Sequence, residues 1–433
     1  MAAPRQAGQP GADHADRLEA VRPSDRLDAD RLWQRLMALA QIGARADGGV
    51  DRQALTPDEI VARAELVRWG RALGLEPFTD AAANMFLRLP GREPGSPPVL
   101  AGSHIDTQPT GGRFDGAYGV VAALEAVAAI VTSGRVPRRA IEVVAWTNEE
   151  GCRFSPGMTG SELYTGLKRM EDMTMLRDAA GMTLGDALAS VLAADRGMPL
   201  RPLGRPLAAF VELHIEQGPV LERAGIPVGI VSAIQGTRRY RVQIDGQAAH
   251  AGTAERVDRQ DALMAAVRTI AAIDQAALNP ENIKLTVGLF EVMPNAPSVV
   301  PERVLFSIDL RHPDDAVVDR LDAEIRSIVA TLPAPCSAEL RQIQHNPTVT
   351  FSPVIRTLIA ERADLLGIPH RELASAAGHD ARSLNAFCPT GMIFVPCRDG
   401  LSHHSAEWAE PHDLAAGARV LTEVIWTLAE HGP

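Results

Sequence analysis

The segment PVLAGSHIDT, residues 98–107, decides the fold class, because a mainly apolar run passes directly into polar residues. The run Pro98–Ser103 predicts a buried strand, and residues Ala117–Thr132 carry a helical pattern soon after it. A buried strand followed by a helix is the repeating unit of α/β proteins. We therefore predict an α/β fold with a mixed, mostly parallel sheet flanked by helices.

The same alternation continues on both sides of this segment. Further strands are predicted over Asn84–Leu89, Ile141–Trp146, Ala209–Leu213 and Met392–Cys397, and helices from about Asp28 and Thr56 and over Leu184–Ala194, Pro353–Leu366 and Asp413–Ala429. Between about Pro219 and Pro335 the order becomes β-α-β-β-α-β, starting with a strand or hairpin over Ile230–Ile244. That order predicts an inserted α+β domain of the ferredoxin-like type.

Domain boundaries follow from these changes of pattern. We expect a mobile tail over residues 1–25, which are rich in Ala, Gly, Pro, Asp and Arg without periodicity. One domain is expected to comprise residues 26–218 and 335–433, and the insertion residues 219–334. A chain of 433 residues is long enough for two such domains.

Composition excludes several classes of protein. The net charge of −11 disfavours a nucleic-acid partner, and four scattered cysteines disfavour a disulfide framework. The N-terminus lacks the apolar stretch of a secretory signal. The apolar run Gly119–Val131 is interrupted by Glu125 and is too short to cross a bilayer. We expect a soluble cytoplasmic protein with neither a nucleic-acid nor a membrane partner.

Imidazole and carboxylate side chains cluster where predicted strands end. They are His104, Asp106, Asp115, Glu149, Glu150, His214 and the adjacent pair His403 and His404. Taken singly, each is more often a structural or solvated residue. Ligands of α/β sheets gather at the carboxyl ends of the strands, however, and all of these residues lie there or just beyond. Imidazole and carboxylate without cysteine favour a hydrolytic Zn²⁺, Mn²⁺, Co²⁺ or Ni²⁺ centre.

Seven longer motifs carry a resemblance to a known family. They are GSHIDTQPTGGRFDGAYGV (102–120), WTNEEG (146–151), ELHIEQGPVLE (212–222), GQAAHAGT (246–253), DLRHPD (309–314), AAGHDA (376–381) and MIFVPCRDGLSH (392–403). In this order they resemble the hydantoinase/carbamoylase family of binuclear metal amidohydrolases, within the zinc aminoacylase and carboxypeptidase superfamily. The resemblance covers nearly the whole chain after residue 30.

The resemblance implies a catalytic domain that binds two divalent metal ions per subunit, Zn²⁺ or Mn²⁺, with Co²⁺ or Ni²⁺ as further options. The implied ligands are His104 and His214 for one ion, Glu150 and His403 for the other, and Asp115 as the bridge between them. His404 is the less favoured alternative to His403. Asp106 is expected to orient His104 through its other ring nitrogen, and Glu149 to act as general base.

The resemblance also implies that the inserted domain is a dimerisation and lid domain. His250 would reach the reacting centre from the partner subunit of a homodimer, and Arg311 would clamp a substrate carboxylate. The other implied substrate-binding residues are Gln217, Gly378 and His379. The alternative is that His250 caps a loop and Arg311 is a surface charge.

This chain departs from the family pattern near the substrate. It has Ser298 where many relatives carry a substrate-binding asparagine, and Asn295 lies close by in sequence. After HAGT it reads Ala254-Glu255-Arg256 where relatives commonly have Thr-Pro-Met. We include Asn295 and Ser298 among the predicted substrate-binding residues.

The predicted activity is hydrolysis of the carbamoyl C–N bond of an N-carbamoyl amino acid, a small carboxylated ureido compound, to the amino acid, CO₂ and ammonia. Allantoate amidohydrolase and β-ureidopropionase are the nearest alternatives. An N-acyl amino acid or peptide hydrolase is a more distant one. A non-catalytic binding protein on the same fold would have lost a ligand or the base, and none is missing from the sequence.

Overall fold

The strands of the described chain form two larger sheets and one two-stranded sheet. The computed structural model describes residues 21–278, 283–331 and 333–433. In chain order the strands are β1 Glu76–Asp80, β2 Met85–Leu89, β3 Val99–His104, β4 Ile141–Trp146, β5 Leu200–Arg201, β6 Ala209–Ile215, β7 Val228–Ile234, β8 Gly236–Asp245, β9 Ala249–His250, β10 Lys284–Thr286, β11 Phe290–Met293, β12 Val299–Val300, β13 Arg303–His312, β14 Ser337–Asn346, β15 Val349–Thr350, β16 His370–Ser375 and β17 Thr390–Val395.

Helices alternate with these strands along the chain. They are α1 Ala29–Leu39, α2 Pro57–Ala72, α3 Ala117–Thr132, α4 Thr159–Thr165, α5 Met170–Met173, α6 Leu184–Ala194, α7 Val220–Ala224, α8 Ala262–Ala277, α9 Asp315–Thr331, α10 Pro353–Leu365, α11 Ala381–Leu384 and α12 Pro411–His431. Short 3₁₀ helices occupy Pro23–Arg26 and Arg398–Gly400. Within the described residues, no helix is both long and apolar enough to cross a membrane.

Two compact units divide the described chain. The first contains residues 21–232, 351–373 and 378–433, and the second contains residues 233–350 and 374–377. The dividing points fall near residues 233 and 350, later in the chain than the expected 219 and 334. Of the predicted tail, residues 1–20 lie outside the described residues, while Pro23–Arg26 is helical and the Ser24 amide donates to the buried Glu423 at 3.0 Å.

The sheet of the first unit confirms the predicted mixed, mostly parallel arrangement. Its strand order is β7-β17-β6-β3-β4-β2-β1-β5, with β16 beside β7. The central pairs β17–β6, β6–β3 and β3–β4 and the edge pair β1–β5 are parallel, and the pairs β4–β2, β2–β1 and β17–β7 are antiparallel. β3, β4, β6 and β17 are buried along their whole length. Parallel strands need cover on both faces, which explains their continuous apolar sequence.

Helix α3 is the most buried helix of this unit, with every residue from Ala117 to Ile130 buried. Its one acid, Glu125, is fully buried and forms ion pairs with Arg31 and Arg35 of α1. These two cations explain why an acid is tolerated in an otherwise apolar helix, since a buried charge needs a charged partner. α3 starts two residues after Asp115, with Gly116 as its cap, so the buried helix helps to fix the position of Asp115.

Helix α2 begins where the sequence predicts, and Thr56 caps it. The Thr56 hydroxyl accepts the Glu59 amide at 3.4 Å. The Glu59 carboxylate accepts the amide of Leu55, the residue before the cap. Gly74 ends the helix with φ of 80°, as expected of a residue just past a helix end.

The second unit has the predicted ferredoxin-like order. Strand β8 lies between β13 and β14, and β13 also pairs with β10 and β11. Helices α8 and α9 cover one face, where Tyr240, Phe306 and Ile308 are fully buried. The predicted strand or hairpin over Ile230–Ile244 is wrong in its first half, because this segment forms two separate strands: β7 pairs with β17 of the main sheet, and β8 pairs with β13 and β14. The apolar run Ile230-Val231 is compatible both with a hairpin and with the buried position that β7 takes in the main sheet.

Candidate metal centre

His104 and His214 stand at the ends of two neighbouring strands. β3 and β6 are parallel and place Ala101 opposite Val211, and each histidine follows three residues later. Parallel pairing therefore brings the two rings to the same edge of the sheet, 6.0 Å apart between centroids. Both residues are almost completely buried. The sheet register alone brings together two residues that are 110 positions apart in the sequence.

The Nδ1 atoms of both histidines donate to main-chain carbonyls. His104 Nδ1 lies 2.9 Å from the Asp106 carbonyl oxygen, and His214 Nδ1 lies 2.9 Å from that of Ile215. A carbonyl can only accept, so the Nδ1 proton is committed in both rings. The Nε2 atoms lie 3.6 Å and 3.1 Å from Asp115 Oδ1. With Nδ1 committed, Nε2 is the ring nitrogen left to bind a metal ion, and His214 Nε2 accepts the Gly116 amide at 3.1 Å.

Asp115 presents its second oxygen to a different pair of groups. Oδ2 lies 3.2 Å from His403 Nε2, which in turn lies 3.3 Å from Glu150 Oε2. Glu150 is oriented by Gln108, whose main-chain and side-chain nitrogens donate to its two oxygens at 3.2 and 2.9 Å. Within the described residues, His404 is not close to either set of these side chains. Its Nδ1 accepts the Ala406 amide at 3.0 Å.

The donor atoms fit a metal centre with two positions. His104, Asp115 and His214 form one group and Asp115, Glu150 and His403 the other, and the donors of each group lie within 4.8 Å of one another. Asp115 is common to both. Imidazole nitrogens and carboxylate oxygens are the ligands of catalytic Zn²⁺ and similar ions. Gly116, which follows Asp115, leaves the space that this arrangement needs, because a Cβ at this position would lie 2.3 Å from the His104 ring.

Several acids are buried close together in this region, so nearby positive charge stabilises their ionised forms. Burial and the charge of Asp115 raise the pKa of Glu150 to about 7. Burial also acts to raise the pKa of Asp115, but the bonds with His214 and His403 outweigh it and hold that pKa well below its usual value. The same bond from Asp115 raises the pKa of His403 to about 9. Divalent ions bound among these groups would relieve the repulsion between the carboxylates.

Glu149 and Asp106 lie beside the metal-binding groups. Glu149 Oε2 is 3.6 Å from His104 Nε2, and burial raises the pKa of Glu149 well above its usual value. The Asp106 carboxylate accepts the amides of Glu149 at 3.2 Å and Glu150 at 3.1 Å. The expected contact to His104 is made by the Asp106 carbonyl, since the carboxylate is 3.6 Å from Nδ1. Asp106 therefore fixes the turn that carries both glutamates.

Three further residues of the predicted pocket lie in the first unit. Gln217 Nε2 donates to Asp115 Oδ2 at 2.8 Å, and Gln217 has φ of 55°. The His379 ring packs edge-on against His214 with centroids 4.5 Å apart, and burial lowers its pKa well below the usual value. Gly378 faces the Met158 side chain, 2.6 Å from where a Cβ would lie. All three contact the metal-binding groups or the segment next to Glu149.

The other predicted residues lie in the second unit. His250 is exposed and ends β9, which pairs with β12 so that His250 stands opposite Val299. The Ala251 amide donates to the Ser298 carbonyl at 3.0 Å, which places Ser298 beside His250 in this small sheet. Asn295 is exposed with φ of 55°. Arg311 lies at the end of β13 and is bound by Asp309.

Sequence reasoning missed the acids and hydroxyls that support the ligands. Glu407 accepts the amide of Asp115 at 3.1 Å, and Ser402 donates to the Asp115 carboxylate at 2.8 Å. Glu212 accepts the Ser103 hydroxyl at 2.7 Å beneath the histidines. Glu212 and Ser402 stand inside the motifs that hold ligands, but Glu407 lies in an irregular segment with no periodic pattern.

Comparison with known proteins gives a consistent result. The model of the peptidase family M20/M25/M40 matches residues 100–427. An N-carbamoyl-L-amino acid amidohydrolase of Geobacillus stearothermophilus is 39% identical over 407 residues, which cover 93% of this chain and 99% of the relative. An allantoate amidohydrolase of Bacillus subtilis is 35% identical over 394 residues, 90% of this chain and 95% of the relative.

Solved structures agree with these sequence matches. An amidase of the hydantoinase/carbamoylase family from Burkholderia multivorans superimposes with a TM-score of 0.89 and 41% sequence identity. The match covers 95% of this chain and 100% of that structure. The sequence motifs and the fold therefore point to the same group of enzymes.

Proposed function

The chain belongs to the peptidase family M20/M25/M40, a family of metal-dependent hydrolases, and we propose that it removes the carbamoyl group from an N-carbamoyl amino acid. The products would be the free amino acid, CO₂ and ammonia. Relatives named N-carbamoyl-L-amino acid amidohydrolases, 39% and 38% identical over more than nine-tenths of the chain, favour this substrate class. The single observation that carries the proposal is the position of Asp115 between two groups of donors.

The proposed metal content is two divalent ions per chain, Zn²⁺ or Mn²⁺, with Co²⁺ or Ni²⁺ as alternatives. His104, Asp115 and His214 would hold one ion, and Asp115, Glu150 and His403 the other. When bound, such ions lower the pKa of water and polarise a carbonyl oxygen. The chain's own contribution is to fix the donors, through the carbonyl contacts of His104 and His214 and the Gln108 contacts of Glu150.

Glu149 is the proposed general base and acid. Its carboxylate lies 3.6 Å from the ring of His104 and is 9% exposed. It would take a proton from the attacking water and give it to the leaving nitrogen, so that the C–N bond breaks with a neutral amine or ammonia as the leaving group and not its anion. Burial raises the pKa of Glu149, which suits a carboxylate that must hold a proton during part of the reaction.

Substrate recognition is assigned to the second unit, which we propose as the dimerisation and lid domain. Asp309 and the Ala376 carbonyl take three of the five N–H groups of Arg311. One N–H on each terminal nitrogen is left for a two-point contact with a substrate carboxylate. We further propose that the protein is a cytoplasmic homodimer in which His250 reaches the reacting centre of the partner subunit. Ser298, whose carbonyl accepts the amide of Ala251 next to His250, and Asn295, three residues before Ser298, complete the proposed substrate contacts with Gln217, Gly378 and His379.

Allantoate amidohydrolase activity is the second candidate. Relatives with that name from Bacillus subtilis and Escherichia coli are 35% and 36% identical. Allantoate also carries a carboxylate beside ureido groups, so the proposed metal centre and the Arg311 clamp would serve both substrates. Ser298, where many relatives carry asparagine, is the residue that we expect to distinguish them.

Ammonia release across a panel of substrates tests the proposal. The purified protein, loaded with Zn²⁺ or Mn²⁺, would be assayed with N-carbamoyl-L-, D- and β-amino acids, allantoate and N-acyl amino acids. We expect the highest kcat/KM with an N-carbamoyl amino acid. A preference for allantoate would select the second candidate. Activity on N-acyl amino acids alone, or no dependence on metal, would contradict the proposal.

A further inference from the structure

Glu407 is a buried acid that contacts the main chain beside the shared ligand. It is 2% exposed, and its Oε1 accepts the amides of Phe114 at 2.8 Å and Asp115 at 3.1 Å. These amides precede α3, where an anion is favoured by the positive end of the helix. The carboxyl group lies so close to this segment that a Cβ on Gly112 would be 2.1 Å from it.

The second oxygen of Glu407 acts through Ser402. Glu407 Oε2 lies 2.9 Å from Ser402 Oγ, which lies 2.8 Å from Asp115 Oδ2. Ser402 directly precedes His403, so this contact also ties the His403 loop to Asp115. One carboxyl group therefore reaches Asp115 by two routes. Oε1 accepts its main-chain amide, and Oε2 contacts Ser402, whose single hydroxyl proton can be donated to Asp115.

The orientation of the Asp115 carboxylate is what makes it common to two donor groups. Oδ1 faces His214 at 3.1 Å and Oδ2 faces His403 at 3.2 Å. Rotation about the Cβ–Cγ bond would turn both oxygens away from these partners. We infer that Glu407 is a positioning residue that sets this orientation and so determines metal affinity. The inference rests on the metal centre of the proposed function.

Binding of Co²⁺ to the metal-free protein tests the role of Glu407. We expect Glu407→Ala to weaken Co²⁺ affinity by about 10- to 100-fold, as is typical when the partner of a metal ligand is lost. The visible absorption of bound Co²⁺ should also change, because it reports the arrangement of the ligands. Glu407→Gln should bind Co²⁺ within about threefold of the wild type, since the amide oxygen can accept both N–H groups and the amide nitrogen can donate to Ser402.

Glu423→Ala is the matched control. Glu423 is also buried, at 4% exposed, and accepts one amide, that of Ser24, away from the ligands. It should lose stability without losing Co²⁺ affinity. If Glu407→Ala does not fold, Ser402→Ala leaves the amide contacts of Glu407 in place, removes its side-chain route to Asp115 together with the contact from Gln217 at 3.3 Å, and should still weaken binding and alter the spectrum.

The outcomes separate this inference from the proposed function. A wild-type protein that binds no divalent ion would overturn the proposed metal centre and this inference with it. A wild type that binds Co²⁺ with unchanged affinity and spectrum in the Glu407 and Ser402 variants would overturn this inference alone. Equal weakening in Glu407→Gln and Glu407→Ala, or in Glu423→Ala, would also overturn it.

Discussion

Arg311 and Asp309, two residues apart on strand β13, form a two-point ion pair. Arg311 Nε lies 2.8 Å from Asp309 Oδ1, and Nη2 lies 3.0 Å from Oδ2. Arg239 of β8 donates to the same carboxylate at 2.7 Å. Asp309 therefore holds the guanidinium of Arg311 in a fixed plane, and the geometry of any substrate contact depends on that plane.

Arg311→Lys should impair the proposed substrate clamp although it keeps the charge, because an ammonium cannot make the planar two-point contact. Loss of a charge-assisted carboxylate contact costs about 2–5 kcal/mol. We expect kcat/KM to collapse for carboxylated ureido substrates and to change little for the matching uncharged amide. Arg239→Lys, which also alters a partner of Asp309, is the control and should leave the ratio unchanged. Equal losses on both substrates would assign Arg311 to the fold.

Glu149→Gln should retain the metal and lose turnover, because the substitution removes the proton acceptor without removing a proposed ligand. Acid–base catalysis of this kind contributes about 10²–10⁴-fold to the rate. Metal content by elemental analysis and kcat under saturating substrate would be measured together. Near-normal kcat, or loss of metal along with activity, would be incompatible with the role proposed for Glu149.

Complementation between inactive chains tests the role proposed for His250. If His250 acts in the partner's site, a Glu149→Gln chain mixed with a His250→Ala chain should recover activity, because one site of each heterodimer has both residues. Mixtures of Glu149→Gln with His104→Ala should stay inactive, since both residues are proposed to serve the same chain's site. Subunit exchange would be verified separately. A site built from one chain would give no recovery in either mixture.

Gly116→Ala should abolish or strongly weaken metal binding, because the new Cβ would lie 2.3 Å from the ring of His104. Gly134→Ala is a matched control, since Gly134 has a similar φ of 73° against 63° and no atom within 4 Å of its Cβ position. Both variants should lose roughly 1 kcal/mol of stability from backbone strain. Only Gly116→Ala should lose metal affinity, measured by titration of the metal-free protein.

Glu59 should make the metal-free protein less stable as the pH rises. Burial raises the pKa of Glu59 from 4.5 to about 7, so the folded state keeps a proton that the unfolded state has released. The stabilisation is complete below pH 4.5 and is lost as the pH rises to about 7, a change of roughly 3 kcal/mol. Urea unfolding should show a shallower pH dependence for Glu59→Gln than for the wild type. The same change at the exposed Glu76 should leave the slope unaltered.

The elements with a strong local pattern could be predicted from the sequence almost to the residue. Strand β4 and helices α3 and α6 have the predicted bounds, because each is a continuous apolar or amphipathic run between clear breaks. Strand β7 was assigned to the wrong domain, since a buried strand carries no information about which sheet it joins. Pairing with β17 over 160 residues away decides that question.

The same distinction applies to the candidate site. His104, Asp115, Glu150, His214 and His403 could be named because each stands at a strand end or in a long motif, and the structure brings them together. The support for Asp115 could not be named, because Glu407 is nearly 300 positions away and its role consists of contacts to main-chain amides. Any residue except proline can offer a main-chain amide, so the sequence of the segment that Glu407 contacts gives no sign of this contact.

The distribution of the proposed metal ligands and substrate contacts over the two units has an evolutionary consequence. Every residue of the two donor groups belongs to the first unit, and four of the proposed substrate contacts, His250, Asn295, Ser298 and Arg311, belong to the second. With the roles proposed above, substitutions in the second unit would alter substrate specificity without changing a proposed metal ligand. Selection could then change substrate specificity separately from the hydrolytic reaction, and new specificities could arise in descendants of this chain while the proposed metal centre is inherited unchanged.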